Sequence, residues 1–150
     1  MHTIDTVPAL FDLEGTDLGT TDWITITQDQ VDTFADVTDD HQWIHVDRER
    51  ALTGPFGHTV AHGMLTLAFV PVLVGGVLTV ENASFGLNYG FDKVRFTSPV
   101  RAGERVRAHV TVLRTLQVPG GVRATFGVTV EGEDTAKTVL YAENIIQWLE

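Results

Sequence analysis

Over much of the second half of the chain, hydrophobic and polar positions alternate with a period of two. Val106, Ala108, Val110 and Val112 fall on one side, and Arg105, Arg107, His109 and Thr111 on the other. That is the pattern of a strand with one face on a core and the other toward water. Four β-rich runs are predicted: Asn82 to Val100, Glu104 to Gln117, Gly121 to Glu131 and Lys137 to Leu149. Pro99 with Ala102-Gly103, Pro119-Gly120-Gly121, and Gly132 to Thr135 supply the turns between them. The first half has a different rhythm. Trp23 to Ile26 reads as a short strand, and residues 1–20 as an irregular lead-in or short edge segment. Thr27 and Gln30 have the form of a capping box, and Val31, Phe34, Ala35 and Val37 follow at helical spacing, which predicts a helix to about Thr38. A short polar turn or helix from Asp47 to Leu52 precedes a Gly-Pro-Phe-Gly loop. From Ala61 onward, Met64, Leu65, Leu67, Ala68, Phe69, Val72 and Leu73 put apolar groups on nearly every side. This predicts one long helix over about residues 61–75, buried in the core and ended by Gly75-Gly76. The order of elements fits an α+β domain over residues 1–150, an antiparallel sheet wrapped around one central helix.

Composition narrows the function classes. At 150 residues, 43% hydrophobic and 20% charged, the chain has the make-up of one folded domain and not of a disordered segment. A formal charge of −10 argues against nucleic acid or an anionic membrane surface as the main partner. With no cysteine, disulfides, thiolate catalysis and Cys-ligated zinc are excluded. The longest apolar run, Met64 to Leu78, is broken by Thr66, Pro71 and two glycines and is too short to span a bilayer. The N-terminus lacks the basic-then-apolar order of a signal peptide, so a soluble cytoplasmic protein is expected.

Candidate chemistry concentrates in two places. Asp40 and His45 stand five residues apart in a polar segment. A carboxylate and an imidazole brought together can hold and polarise a water. Asp39 and Asp40 fall at the C-terminal end of a helix, where the dipole disfavours carboxylates, a hint that function placed them. The second place is His62-Gly63, just where the apolar helix begins and free backbone N–H groups can receive developing negative charge. The plainer account of the same residues is a solvated helix-end acid, a locally bonded loop histidine, and a glycine that permits close packing. His62 reads as a structural hydrogen-bonder, and Met64, Leu65 and Phe69 as core. His41-x3-His45 and His58-x3-His62 have metal-ligand spacing. However, the 41–45 stretch is not expected to be a regular helix and His58 follows Gly57 in a loop, so no metal site is expected.

Three segments carry a resemblance: Asp40-His41-Gln42-Trp43-Ile44-His45, Ala61-His62-Gly63-Met64, and Asn88-Tyr89-Gly90-Phe91-Asp92-Lys93-Val94-Arg95-Phe96. Together they resemble the MaoC-like dehydratases, or R-specific enoyl-CoA hydratases, of the hotdog fold. More narrowly the chain is similar to the single-hotdog NodN-like branch of 3-hydroxyacyl-thioester dehydratases. The resemblance implies Asp40 and His45 as the catalytic pair and the Gly63 N–H as the group that binds the thioester carbonyl. Members more often carry Gly-Asp-x-Asn-Pro-(aliphatic)-His; here Asp39 stands for the Gly, Gln42 for the Asn and Trp43 for the Pro. Gln42 keeps an amide for water or substrate on a longer arm, and Trp43 is expected to narrow or roof the pocket. The implied activity is reversible hydration of trans-2-enoyl thioesters to (R)-3-hydroxyacyl thioesters, without a cofactor. Implied partners are an acyl thioester of coenzyme A or acyl carrier protein and a second copy of the chain in a homodimer. Lys93, Arg95 and Arg101 are candidates for an anionic carrier, with solvated surface charge as the plainer account. Which of Asp40 and His45 takes the water proton stays open. The rival functions are a hotdog thioesterase and a non-catalytic acyl-thioester-binding subunit.

Overall fold

The computed structural model describes every residue except 135 and 136. In chain order its elements are β1 (His2–Ile4), a 3₁₀ turn (Val7–Leu13), β2 (Asp17–Thr20), β3 (Ile24–Thr25), α1 (Gln28–Thr38), α2 (Trp43–Val46) and α3 (Arg48–Leu52). There follow α4 (Gly63–Ala68), α5 (Val70–Gly75), β4 (Leu78–Val80), β5 (Phe85–Phe96), β6 (Arg105–Val118), β7 (Gly121–Gly132) and β8 (Lys137–Leu149). The large sheet runs β2-β6-β7-β8-β5, with β3 also on β6, and every pairing in it is antiparallel. Its long hairpins follow the expected turns; the one predicted at Gly132 to Thr135 reaches Thr135, which lies outside the described residues. The alternation in β6 has the predicted sense, since Val106, Ala108, Val110 and Val112 are fully buried. They join Val122, Ala124, Phe126, Val128 and Val130 of β7 and Leu140 and Ala142 of β8 in one core, onto which Leu65, Leu67, Val70, Leu73 and Val74 pack from the helices. The architecture is α+β, an antiparallel sheet around a central helical segment.

Three expectations need correcting. Of the two readings of the lead-in, the short edge segment holds, since β2 is an edge strand of the main sheet, and the irregular one does not. His2 to Ile4 pair in parallel with Leu78 to Val80, β2 joins the main sheet, and Val7 and Leu10 of the 3₁₀ turn reach the core. The central helix starts at Gly63, not residue 61, and breaks at Phe69 into α4 and α5. The cause is Pro71, which has no N–H to give the Leu67 carbonyl and whose ring crowds it. Nor is this helix buried all round: Met64, Ala68, Val72 and Gly75 form an exposed stripe, three and four residues apart and so on one face. Finally, residues Trp43–Val46 form a single helical turn where irregular chain was expected.

The capping box is present in both directions. The Gln30 N–H donates to Thr27 Oγ1, and the Thr27 N–H donates to Gln30 Oε1. At the other end of α1, Asp39 takes a left-handed conformation with φ 58° and closes the helix, a conformation that Asp tolerates better than most residues. No helix among the described residues is long and apolar enough to cross a membrane.

Candidate active site

Three segments meet. The chain leaving α1 carries Asp40, the α2 turn carries His45, and His62 and Gly63 open α4. His45 is held on both sides. Its Nδ1 lies 2.6 Å from the Val60 carbonyl oxygen. A carbonyl only accepts, so Nδ1 carries the hydrogen and Nε2 keeps a lone pair. The acceptor is fixed in turn, because the Val60 N–H donates to the Ile44 carbonyl and the Ala61 N–H to the Val100 carbonyl. Burial, the largest effect, pushes the His45 imidazole below the ordinary histidine range; the Val60 carbonyl opposes this, His62 adds to it and Asp40 opposes it.

His62 is the second imidazole of the site. Its ring stacks on His45 with centroids 3.8 Å apart and planes 26° from parallel, while Phe34 tilts against it at 5.0 Å. The His62 Nε2–H donates to the Asp40 main-chain carbonyl at 2.9 Å, and Nε2 is 4.0 Å from Asp40 Oδ2. One Asp40 oxygen and one ring nitrogen from each of His45 and His62 lie within 4.8 Å of each other. Between Asp40 and His45 that span suits a single water hydrogen-bonded at about 2.8 Å on each side, the His62 Nε2–H being given to the Asp40 carbonyl. It does not suit a metal ion. Imidazole lone pairs lie in the ring planes, so two rings stacked this closely cannot both aim at an ion about 2.0–2.1 Å from each nitrogen. Neither histidine pair picked out by spacing points one way: His41 turns back to Asp36 at 2.8 Å, and His58 Nδ1 faces the Thr59 carbonyl at 3.1 Å.

Two cavities adjoin here, and His45 and Gly63 line both. One, of about 400 Å³, is also lined by Phe34, Thr38, Asp40, His62 and Met64. The other, of about 300 Å³, extends past Phe56, Thr66, Phe96 and Val139. Gly63 sits against the Phe96 ring, which a Cβ would approach to 3.1 Å. Asp40 is 56% exposed. Asp39 points fully into solvent and serves as the helix cap, so of the two acids it is Asp40 that faces His45 and His62. Gln42 lies apart: its side chain is exposed and lines neither cavity, while its carbonyl accepts the His45 N–H as the α2 turn begins. Trp43 does not roof the pocket. Its ring covers Gly54, where a Cβ would come within 2.8 Å of it, and Arg50 stacks on it at 4.3 Å. Lys93 is paired with Glu143 at 2.6 Å and Arg95 with the Val94 carbonyl at 2.7 Å. Arg101 lines a third cavity that shares Phe56 and Pro99 with the second.

Sequence reasoning passed over one supporting residue. Gln28, the first residue of α1, donates from Nε2 to the His45 carbonyl at 2.8 Å and accepts from Thr59 Oγ1 at 2.5 Å. One amide thus ties the segment bearing His45 to the segment bearing its Val60 acceptor. Nothing local signals this, since the partners are 17 and 31 residues away. The only cue was a polar residue inside a capping box that the box did not use.

Known proteins resemble the chain over most of its length. The profile of the MaoC like domain matches residues 11–139. The chain is 47% identical over 150 residues to 3-hydroxyacyl-thioester dehydratase Z of Mycobacterium tuberculosis, covering 99% of each. It is 45% identical over 140 residues to Nodulation protein N of Rhizobium leguminosarum bv. viciae, covering 89% of this chain and 86% of that one. Among solved structures it superposes on the unliganded R-hydratase PhaJ1 of Pseudomonas aeruginosa with a TM-score of 0.73 and 26% identity, covering 91% of this chain and 82% of that one. On these matches the chain belongs to the MaoC-like dehydratase family and has its hotdog fold.

Proposed function

We propose that the protein is a hydro-lyase that adds water reversibly to trans-2-enoyl thioesters, giving (R)-3-hydroxyacyl thioesters, with Asp40 and His45 as the reacting pair and the Gly63 N–H as oxyanion donor. The observation that carries the reading is the His45 tautomer. With Nδ1–H given to Val60, Nε2 is left to accept a proton beside the Asp40 carboxylate, on a cavity that Gly63 also lines. The water oxygen bonds to C3, and its proton passes to Nε2 while Asp40 orients the remaining O–H. The C2=C3 electron pair moves onto the thioester as an enolate, and the Gly63 N–H receives that charge. The proton is then returned to C2, so water adds across the double bond and the protein is restored. Proton transfer of this kind contributes about 10²–10⁴-fold and one oxyanion donor about 10²–10³-fold. The R configuration follows the R-hydratase to which the chain is similar.

The reading includes a thioester carried by coenzyme A or acyl carrier protein, a cytoplasmic setting, and a homodimer. Support for the dimer comes from β5, a sheet edge with Phe85, Leu87 and Tyr89 about half exposed, and from the apolar stripe on α4–α5. Contiguous exposed apolar surface and an open strand edge are both features that proteins cover by association.

The test is to incubate the purified protein with a short trans-2-enoyl-CoA, following the conjugated thioester absorbance and free thiol in parallel. Hydration removes the absorbance and releases no thiol. Stoichiometric thiol release would make the protein a thioesterase, and no change across several chain lengths would make it a binding subunit.

A further inference from the structure

We propose that His62 is a positioning residue for the hydration reaction: its ring seats against the His45 imidazole and its Nε2–H holds the Asp40 main-chain carbonyl, so that the two reacting groups keep a fixed separation. This rests on the reading of Asp40 and His45 given above and extends it to a residue with no part in the proton transfers.

Several observations carry it. His62 is 3% exposed and lies between Phe34 and His45. Space filling alone does not account for an imidazole there. Its Nδ1 is buried and lacks a hydrogen-bond partner among the described residues, a cost that a phenyl ring of similar size would avoid. What the imidazole adds over a phenyl is the donor at Nε2, and that donor goes to Asp40. Asp40 needs it, because it sits in the exposed chain between Asp39, the left-handed cap of α1, and the α2 turn. Its main-chain carbonyl is tied to α4 by this bond across 22 residues of sequence. The stack does the corresponding service for His45, closing one face of its ring to water. A displacement of about 1 Å in a reacting group can cost on the order of 10²-fold in rate.

The groups that act on His45 can be enumerated. His62 faces it from the start of α4 and Asp40 from the chain after α1; α1 itself contributes the Phe34 ring and the Gln28 amide, whose Nε2 is shared between the His45 carbonyl and the Asp32 carboxylate. The strand residues around the second cavity, Phe96 and Val139 among them, are not titratable.

Two substitutions separate the two contacts. His62→Phe keeps a ring against His45 and removes the donor; His62→Gln keeps a donor near the Nε2 position and removes the ring. For each, kcat and KM for a trans-2-enoyl-CoA are measured across pH, and the His45 titration is followed by NMR without substrate. His62→Phe is expected to lower kcat by about tenfold or more with KM changed by less than about twofold, and, because it removes only the lowering that His62 itself exerts on His45, to move the acid limb upward by less than His62→Gln does. His62→Gln is expected to move both the acid limb and the His45 titration upward, toward the ordinary histidine value of about 6.5. The proposal is overturned if both variants keep kcat within about twofold and the limb in place. It is overturned equally if activity falls only in step with the folded fraction while the His45 titration does not move. The NMR titration separates this inference from the functional reading. A larger upward shift in His62→Gln than in His62→Phe supports the positioning contact even if no enoyl thioester is turned over, in which case the assigned reaction alone falls, and equal shifts overturn the contact.

Discussion

Burial sets the working range of His45. Because its imidazole is pushed below the ordinary range of about 6.5, the neutral form with a free Nε2 persists to lower pH than in an exposed histidine. The acid limb of kcat/KM is therefore expected below about 6.5, and His45→Gln should abolish it; a profile of the rate against pH checks both. The same depression has a sign for stability. The unfolded chain takes up a proton at pH values where the folded chain does not, so this histidine removes stability as pH falls from about 6.5 through its folded value. At this scale the sequence was legible where partners are near in the chain. Asp40 and His45 are five apart and α1 and α2 bring them to one cavity. The reading of His62 as a structural hydrogen-bonder holds, but its partners, the Asp40 carbonyl and the His45 ring, are brought to it only by tertiary packing. Gln42 was expected at the substrate, and the residue instead opens the α2 turn through its carbonyl.

Each element around the site is held by a few specific contacts. The α1 cap, its end near Thr38, and the four long strands could all be read from residue type and period, because each depends on neighbours within one turn or one hairpin. The break at Phe69 was missed although Pro71 was in view: the apolar pattern runs through it, and a proline two residues into a helix is compatible with starting a new one. Gln28 shows how an element positions chemistry at a distance. Gln28→Met keeps the volume but gives up the bonds to the His45 carbonyl, Asp32 and Thr59. At about 0.5–1.5 kcal/mol for each of the three bonds lost, a destabilisation of roughly 1.5–4.5 kcal/mol is expected. Urea denaturation should register it, and kcat should fall as well, because the Thr59–Val60 segment that fixes the His45 tautomer is loosened. A variant with unchanged denaturation midpoint and unchanged kcat would mean that Gln28 is dispensable to both.

The whole molecule presents two incomplete surfaces, the β5 edge and the exposed stripe of α4–α5, and a homodimer would cover them. Leu87→Glu places a charge on that edge at a side chain about half exposed in the single chain. It is expected to leave the protomer folded and shift sedimentation from dimer to monomer; a variant that sediments as wild type would remove β5 from the interface. The α+β class and strand order were legible because they follow from the order of local patterns, whereas the pairing of β1 with β4 across more than seventy residues was not. The central claim concerns what this assembly does with Asp40 and His45, and the most direct measurement is kcat for hydration of a trans-2-enoyl-CoA by the wild type, Asp40→Asn and His45→Gln, each with its circular dichroism and melting curve. The account predicts turnover by the wild type and a fall of about 10²-fold or more in each variant, with the fold intact. Full activity in either folded variant would contradict it.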